Sequence, residues 1–264
     1  MIFLSKGNQD PYINLFANGC NASTVNSDEF VYEDSNDPIV LRGILKKKII
    51  HKCWKDSRTF YYIDTGYFGN EITTQNPNGW KYWHRVVKNN LQHNDLIYRP
   101  DDRFRRFAKN INPWKKNGRK ILIAAPDEKP MKFYGLNIDQ WLNETVDTIK
   151  KYTDRPIEIR TRDKSRLNRT KTKPFLEALN DNVFALVTFN SNAAVESIFQ
   201  GIPAFTLSPV HAASPVSSQN LETIETPYYP DLDKVYKWGC HLAYGQFHVD
   251  EMRSGKVFDI LQNS

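Results

Sequence analysis

Residues 183–207 read VFALVTFNSNAAVESIFQGIPAFTL. The run Val183–Thr188 carries no charge and no polar alternation, the pattern of a strand buried on both faces. Asn190, Ser191 and Asn192 interrupt it. Small, helix-compatible residues follow, and Gly201 and Pro203 close the segment before a second apolar run, Ala204–Leu207. A strand, a polar turn, a helix and a strand in that order form the repeating unit of a parallel sheet.

The flanking sequence repeats the unit. Lys120–Ala125 (KILIAA) and Pro156–Arg160 (PIEIR) read as strands. Asp139–Tyr152 reads as a helix with the apolar stripe Trp141, Leu142, Val146 and Ile149, capped by Asn137 or Asp139, and Pro174–Leu179 as a short helix. This half predicts a doubly wound sheet. Towards the N-terminus, strands are expected at Ile2–Ser5, Phe30–Tyr32, Ile39–Ile44, Thr59–Asp64 and Leu96–Arg99, and helices at Leu45–Lys55 and Trp80–Gln92. Gly7–Ser23 reads as a loop with a short helix. Asp101–Arg119, basic and punctuated by Pro113 and Gly118, reads as a join between domains. Leu232–Phe247 and Val249–Leu261 read as two closing helices. The expected architecture is α/β, with two Rossmann-like domains at 1–112 and 113–230 and C-terminal helices, 231–264, packing back across them.

The chain has 264 residues and a net charge of +6, unevenly placed. Residues 42–120 carry +13, residues 121–264 carry −2 and residues 1–41 carry −5. A basic middle suggests a surface that faces a polyanion; a solvated Lys/Arg face is the plain alternative. No window holds 18 consecutive apolar residues, so no membrane span is expected. The start, MIFLSKGNQD, lacks the basic residues and long apolar stretch of a signal peptide. Cys20, Cys53 and Cys240 form no CxxC pair. They suggest a reducing compartment, hence a cytoplasmic protein, and neither a disulfide framework nor a zinc site.

Ligands of open α/β sheets bind beyond the carboxyl ends of the strands. There the Asn190–Asn192 turn opens a helix whose first N–H groups lack intrahelical partners, and a phosphate fits such a place. A helix that caps itself is the local alternative. Arg160 ends the PIEIR strand, expected to be adjacent to Val183–Thr188, and is followed by Arg162, Lys164, Arg166 and Arg169. A guanidinium so placed suits a diphosphate. Glu196, one turn into the helix, is a candidate acceptor for a ribose diol.

Residues 184–216, FALVTFNSNAAVESIFQGIPAFTLSPVHAASPV, resemble the donor-binding segment of GT-B glycosyltransferases, above all the capsule-polysaccharide transferase group. With PIEIR and KILIAAP the resemblance covers about 118–220. The small size and basic first half also resemble phage enzymes that glycosylate hydroxymethylated DNA bases. The resemblance implies two Rossmann-like domains facing a cleft, the nucleotide-sugar in the second and the acceptor in the first. It implies that Asn190, Ser191 and Asn192 face the donor phosphates, that Arg160 clamps them, and that Glu196 meets the ribose. His211, with the Ala212–Ser214 amides, would complete the phosphate site. The chain departs from the capsule group in having Thr161-Arg162 where a His-Pro pair is expected after Arg160.

An inverting transferase needs a base beside the acceptor hydroxyl. Asp64, ending the TFYYID strand, is the candidate; its alternative is to cap the Thr65-Gly66 turn. Tyr67 and Phe68 are candidates for stacking on a base or sugar, and Arg42 is a second residue of that edge. Lys47, Lys48, Lys81 and Arg85, with the aromatic run Trp80, Tyr82, Trp83 and His84, would hold a duplex and a flipped base. The Asp231-Leu232-Asp233 match to a D-x-D metal motif opens a helix, and Asp233 reads as its N-cap. The expected function is therefore hexosyl or pentosyl transfer from a nucleotide-sugar, such as a UDP-sugar, without metal or other cofactor. The expected acceptor is a hydroxymethylated pyrimidine in double-stranded DNA, in the host cytoplasm if phage-encoded. The alternatives are a transferase acting on a cell-surface polysaccharide or lipid-linked glycan, and a nucleic-acid-binding protein without enzymatic activity.

Overall fold

A computed structural model describes residues 1–7, 10–70, 79–161 and 175–262. The chain divides into two compact units, one formed by 1–93 and 242–264 and the other by 94–241. The divisions fall at 93/94 and 241/242, where the sequence reading drew them at 112/113 and 230/231.

The first unit holds a six-stranded sheet in the order β10-β5-β4-β3-β1-β2. Its strands are β1 (Ile2–Ser5), β2 (Thr24–Asn26), β3 (Ile39–Arg42), β4 (Phe60–Thr65), β5 (Trp83–Lys88) and β10 (Gln246–His248). Four run parallel, while β5 is antiparallel to both β4 and β10. Ile39, Val40 and Leu41 have no exposed surface, as befits an interior parallel strand. One core packs Phe3, Val40, Ile63, Val86 and Phe247 of the sheet against Ile13 and Phe16 of α1 (Pro11–Gly19). In α2 (Lys47–Lys55), Ile50 and Cys53 are buried.

Three elements that contribute to this unit differ from expectation. Phe30–Tyr32 is not a strand; the strand in this region is β2, which ends earlier, at Asn26. Trp80–Gln92 is not a helix; its middle is β5. The strand hides because its buried side chains include His84 and Arg85, so burial does not follow hydropathy there. The last expected helix is interrupted: α8 (Leu232–Tyr244) leads into β10, and then come α9 (Val249–Arg253) and α10 (Lys256–Gln262). His248 caps α9 in a capping box, its ring accepting from Asp250 N–H while Glu251 accepts from the His248 N–H. The α9–α10 joint needs glycine at two places. Gly255 has φ +81°, and a Cβ on Gly19 would lie 2.1 Å from the Met252 carbonyl.

The second unit holds an all-parallel sheet in the order β7-β6-β8-β9. The strands are β6 (Lys120–Ala124), β7 (Ile157–Arg160), β8 (Val183–Thr188) and β9 (Ala204–Thr206). Between them run α4 (Glu128–Tyr134) and α5 (Ile138–Lys150), then α6 (Phe175–Asn180), then α7 (Ala193–Phe199). β8 is buried at all six positions. Asn137 caps α5 by accepting from Gln140 N–H at 3.0 Å, and Trp141 and Ile149 join the core with Ile121, Ile123 and Val187. The expected strand at Leu96–Arg99 is absent, and α3 (Asp102–Arg105) follows.

Residues 101–119 belong to this unit for a stated reason. Asn112 N–H donates to Phe199, Lys115 N–H donates to Gly201, and the Trp114 indole donates to Pro230. Tyr236 also donates to Asp101 at 2.8 Å. Asp233 lies in the first turn of α8 and pairs with Lys237, so it is not the cap itself. No helix among the described residues is long and apolar enough to cross a membrane.

The backbone approach of α1 to the α9–α10 joint predicts that Gly19→Ala costs about 1–3 kcal/mol, the usual cost of overpacking. Urea unfolding measures it; an unchanged midpoint would contradict the packing described.

Candidate functional site

Because β1, β3 and β4 run one way, their carboxyl ends share one edge of the first sheet. Antiparallel β5 brings its opening residues to the same edge. The register sets Asp64 opposite Arg85 and Thr65 opposite His84, while Arg42 faces Ile63. The loop after β1 adds Asp10, and the first turn of α1 adds Tyr12.

Asp64 is heavily engaged. One oxygen accepts from Arg85 at 2.9 Å and from the Tyr62 hydroxyl at 3.0 Å; the other accepts from Thr65 N–H at 2.8 Å. Burial opposes its charge, but the Arg85 guanidinium and the two other donors outweigh burial and hold the carboxyl below its ordinary pKa. Arg85 is itself buried and also donates to the Thr65 and Leu91 carbonyls. It is an internal anchor, where the sequence reading made it a surface contact.

Asp10 differs. It is 6% exposed, and among the described residues its Oδ1 makes no hydrogen bond. Arg42 Nη1 lies 3.8 Å from that oxygen, too far for a hydrogen bond. Burial raises the Asp10 pKa, against the opposing charges of Arg42 and Lys46. Arg42 rests over the Tyr12 ring at 4.6 Å, with its Nε unpartnered among the described residues. The other side of this cluster is His84, fully buried, its ring 3.8 Å from that of Tyr12. His84 Nε2 faces the Lys81 carbonyl at 3.2 Å and therefore carries the proton, leaving Nδ1 bare and without a described partner. Burial pushes its pKa down to about 4. Asp10 escapes sequence reading because it sits in a polar turn; its one signal is its place after the first strand and before Pro11.

Of the remaining acceptor candidates, Tyr67 has its ring 5.5 Å from the Arg85 guanidinium. Tyr67 and Phe68 are buried, with their N–H groups on Gln246 Oε1, so their rings pack the unit instead of presenting a face. The expected aromatic and basic helix is absent: Tyr82 is exposed and stacks on His248, Lys81 is exposed, and Trp83 begins β5. Lys47 is partly exposed and Lys48 fully so on α2.

At the carboxyl edge of the second sheet, Arg160 and Thr188 are both level with Ala124, one on either side of β6. Arg160 is thus two strands from β8, on the sheet's edge, not on the strand adjacent to β8. Its guanidinium lies 5.9 Å from the Phe175 ring. Asn190, Ser191, Asn192 and Glu196 are all partly exposed around the β8–α7 turn. Ser191 Oγ accepts from Ala193 N–H at 3.2 Å, so part of the turn caps itself. His211 is buried. Its Nδ1 accepts from Ala213 N–H, so Nε2 carries the proton and donates to the Ser191 carbonyl at 3.1 Å. It braces the turn from behind. Beside the turn, Thr206, Ser208, Ser214, Gln219 and Asn94 help line an open cleft of about 470 Å³. Arg162 and Lys164, with Arg166 and Arg169, lie outside the described residues. Among the described residues no cluster of His, Cys, Asp and Glu is arranged to hold a metal.

No protein-family model matches the chain, and no curated protein matches it in sequence. Solved structures do resemble it. A Thermosulfurimonas dismutans structure titled KpsC, beta Kdo 2,4 transferase, is similar with a TM-score of 0.56 at 9% identity, over 99% of this chain and 96% of that one. A second from that organism, titled KpsC, beta Kdo 2,7 transferase, has a TM-score of 0.43 at 9% identity over 95% of each chain. The first likeness is one of fold.

Burial of neutral His84 has a pH signature. An unfolded chain takes up this proton near pH 6.5 and the folded chain only near 4, so stability falls as pH drops between those values. The full effect is about 3 kcal/mol. Urea midpoints from pH 7 to 4 should show this slope in the wild type and a shallower one in His84→Gln; equal slopes would contradict the burial of a neutral ring.

Proposed function

We propose that the chain is a glycosyltransferase that moves a sugar from a nucleotide-sugar to a hydroxyl group of a glycan. The observation that carries this reading is the likeness in fold, along nearly the whole of both chains, to a beta Kdo 2,4 transferase. The two sheet edges support it. The second offers a partly exposed polar turn and an arginine at its carboxyl end, suited to a diphosphate or phosphate ester. The first gathers carboxylates and arginines, suited to a hydroxyl acceptor. Arg160 clamps the donor phosphate in this reading, Asn190, Ser191 and Asn192 face it, and Glu196 meets the ribose.

A glycan is favoured over a DNA base. The DNA reading needed aromatic and basic side chains on one helix at 80–92, and that segment instead forms β5 with His84 and Arg85 buried. The donor classes to try first are nucleotide-activated Kdo and the nucleotide-activated hexoses.

Mass spectrometry after incubation with a panel of nucleotide-sugars and oligosaccharide acceptors tests the function. An acceptor heavier by one sugar is expected. Transfer onto hydroxymethylated DNA, with none onto any glycan, would overturn the choice of acceptor. Arg160→Ala should weaken binding of the released nucleotide about 10- to 100-fold, the worth of one charged hydrogen bond. Unchanged affinity in calorimetry would remove Arg160 from the donor site.

A further inference from the structure

We propose that Asp10 takes the proton from the acceptor hydroxyl, and that Arg42 positions its carboxylate. The inference rests on the glycosyl-transfer reading above. Asp64, the obvious carboxylate of this edge, already accepts three hydrogen bonds. Asp10 is a second carboxylate of that edge. Its side chain is 9% exposed, and its Oδ1 has no hydrogen-bond donor among the described residues. A buried carboxylate oxygen without a donor is costly, and a fold that keeps one holds a lone pair ready for a ligand's O–H.

The surroundings suit proton transfer. Among the described residues the charged and titratable groups facing Asp10 are Arg42 from β3, Lys46 from the turn before α2, and Tyr12 from α1. Arg42 is fixed from below by the Tyr12 ring and stands 3.8 Å from Asp10 Oδ1. That is close enough to steer the carboxylate electrostatically without occupying its lone pair. Burial gives Asp10 a higher proton affinity than an ordinary aspartate, and Asp64 has a lower one. A general base works best when its pKa approaches the working pH.

In the step, the acceptor O–H bond breaks and its proton passes to the Asp10 carboxylate. The oxygen's electron pair forms the bond to the anomeric carbon. The bond from that carbon to the donor phosphate breaks, its pair leaving with the nucleotide. Asp10 then returns the proton to solvent. This is a single displacement, with inversion at the anomeric carbon.

The test uses whichever nucleotide-sugar and oligosaccharide pair the wild-type chain turns over. Asp10→Asn should lower kcat about 10²- to 10⁴-fold while leaving nucleotide affinity within about twofold. The wild-type kcat should fall on the acid side with a midpoint above the ordinary carboxylate value. Replacing Arg42 with Gln should move that midpoint upward, a shift that a merely structural arginine would not cause. Wild-type kcat in Asp10→Asn would overturn the inference. If that variant does not fold, Asp10→Glu decides: an acid limb and kcat both identical to wild type would overturn it. A wild-type chain that turns over no pair overturns the glycosyl-transfer reading, and this inference with it. Turnover indifferent to Asp10 overturns this inference alone.

Discussion

The pairing of Asp64 with Arg85 determines how the edge of the first sheet is used. Antiparallel β5 places the two residues opposite each other, and the buried guanidinium joins the Asp64 carboxylate to the Thr65 and Leu91 carbonyls. Removing Asp64 would leave the buried Arg85 guanidinium without its ion-pair partner. The bond therefore ties β4 to β5 and to the turn that follows. With the bonds from Tyr62 and Thr65 it occupies both oxygens of Asp64, whereas Asp10 Oδ1 has no hydrogen-bond donor among the described residues.

The two units use strand ends in different ways. In the second, an all-parallel sheet delivers Ala124, Arg160, Thr188 and Thr206 to one edge, and the turn after β8 is braced by a buried histidine. Backbone geometry and one arginine do most of the work there, as suits an anion. In the first, a mixed sheet brings charged and titratable side chains from β3, β4 and β5 together with a loop residue. Its polar atoms are partly unsatisfied, as suits a site that completes its hydrogen bonds with a substrate.

The second sheet was legible in the sequence because β6, β8 and β9 are largely apolar and helices follow β6, β7 and β8. Val183–Thr188 as a buried strand follows directly from such patterns, while the choice of Asn137 over Asp139 as the cap of α5 is settled only by the structure. The first sheet was less legible for physical reasons. β5 carries buried His84 and Arg85, so its alternation is invisible to hydropathy. β10 is three residues long and lies between helices, and what sets it is pairing with a strand about 160 residues earlier. Tyr67 and Phe68 looked available beside Asp64, yet Gln246, 179 and 178 residues away, accepts from their backbone N–H groups. Asp10 had no local signature, because the lack of a donor on its Oδ1 among the described residues is a property of packing.

Two aspartates on one edge thus have opposite tasks in this proposal, Asp64 held ionised as an anchor and Asp10 ready for a proton. Titration of the carboxyl carbons by NMR in the folded chain, assigned through Asp10→Asn and Asp64→Asn, tests this most directly. Asp10 should titrate above the ordinary aspartate value and Asp64 below it. The reverse order, or two ordinary values, would contradict it.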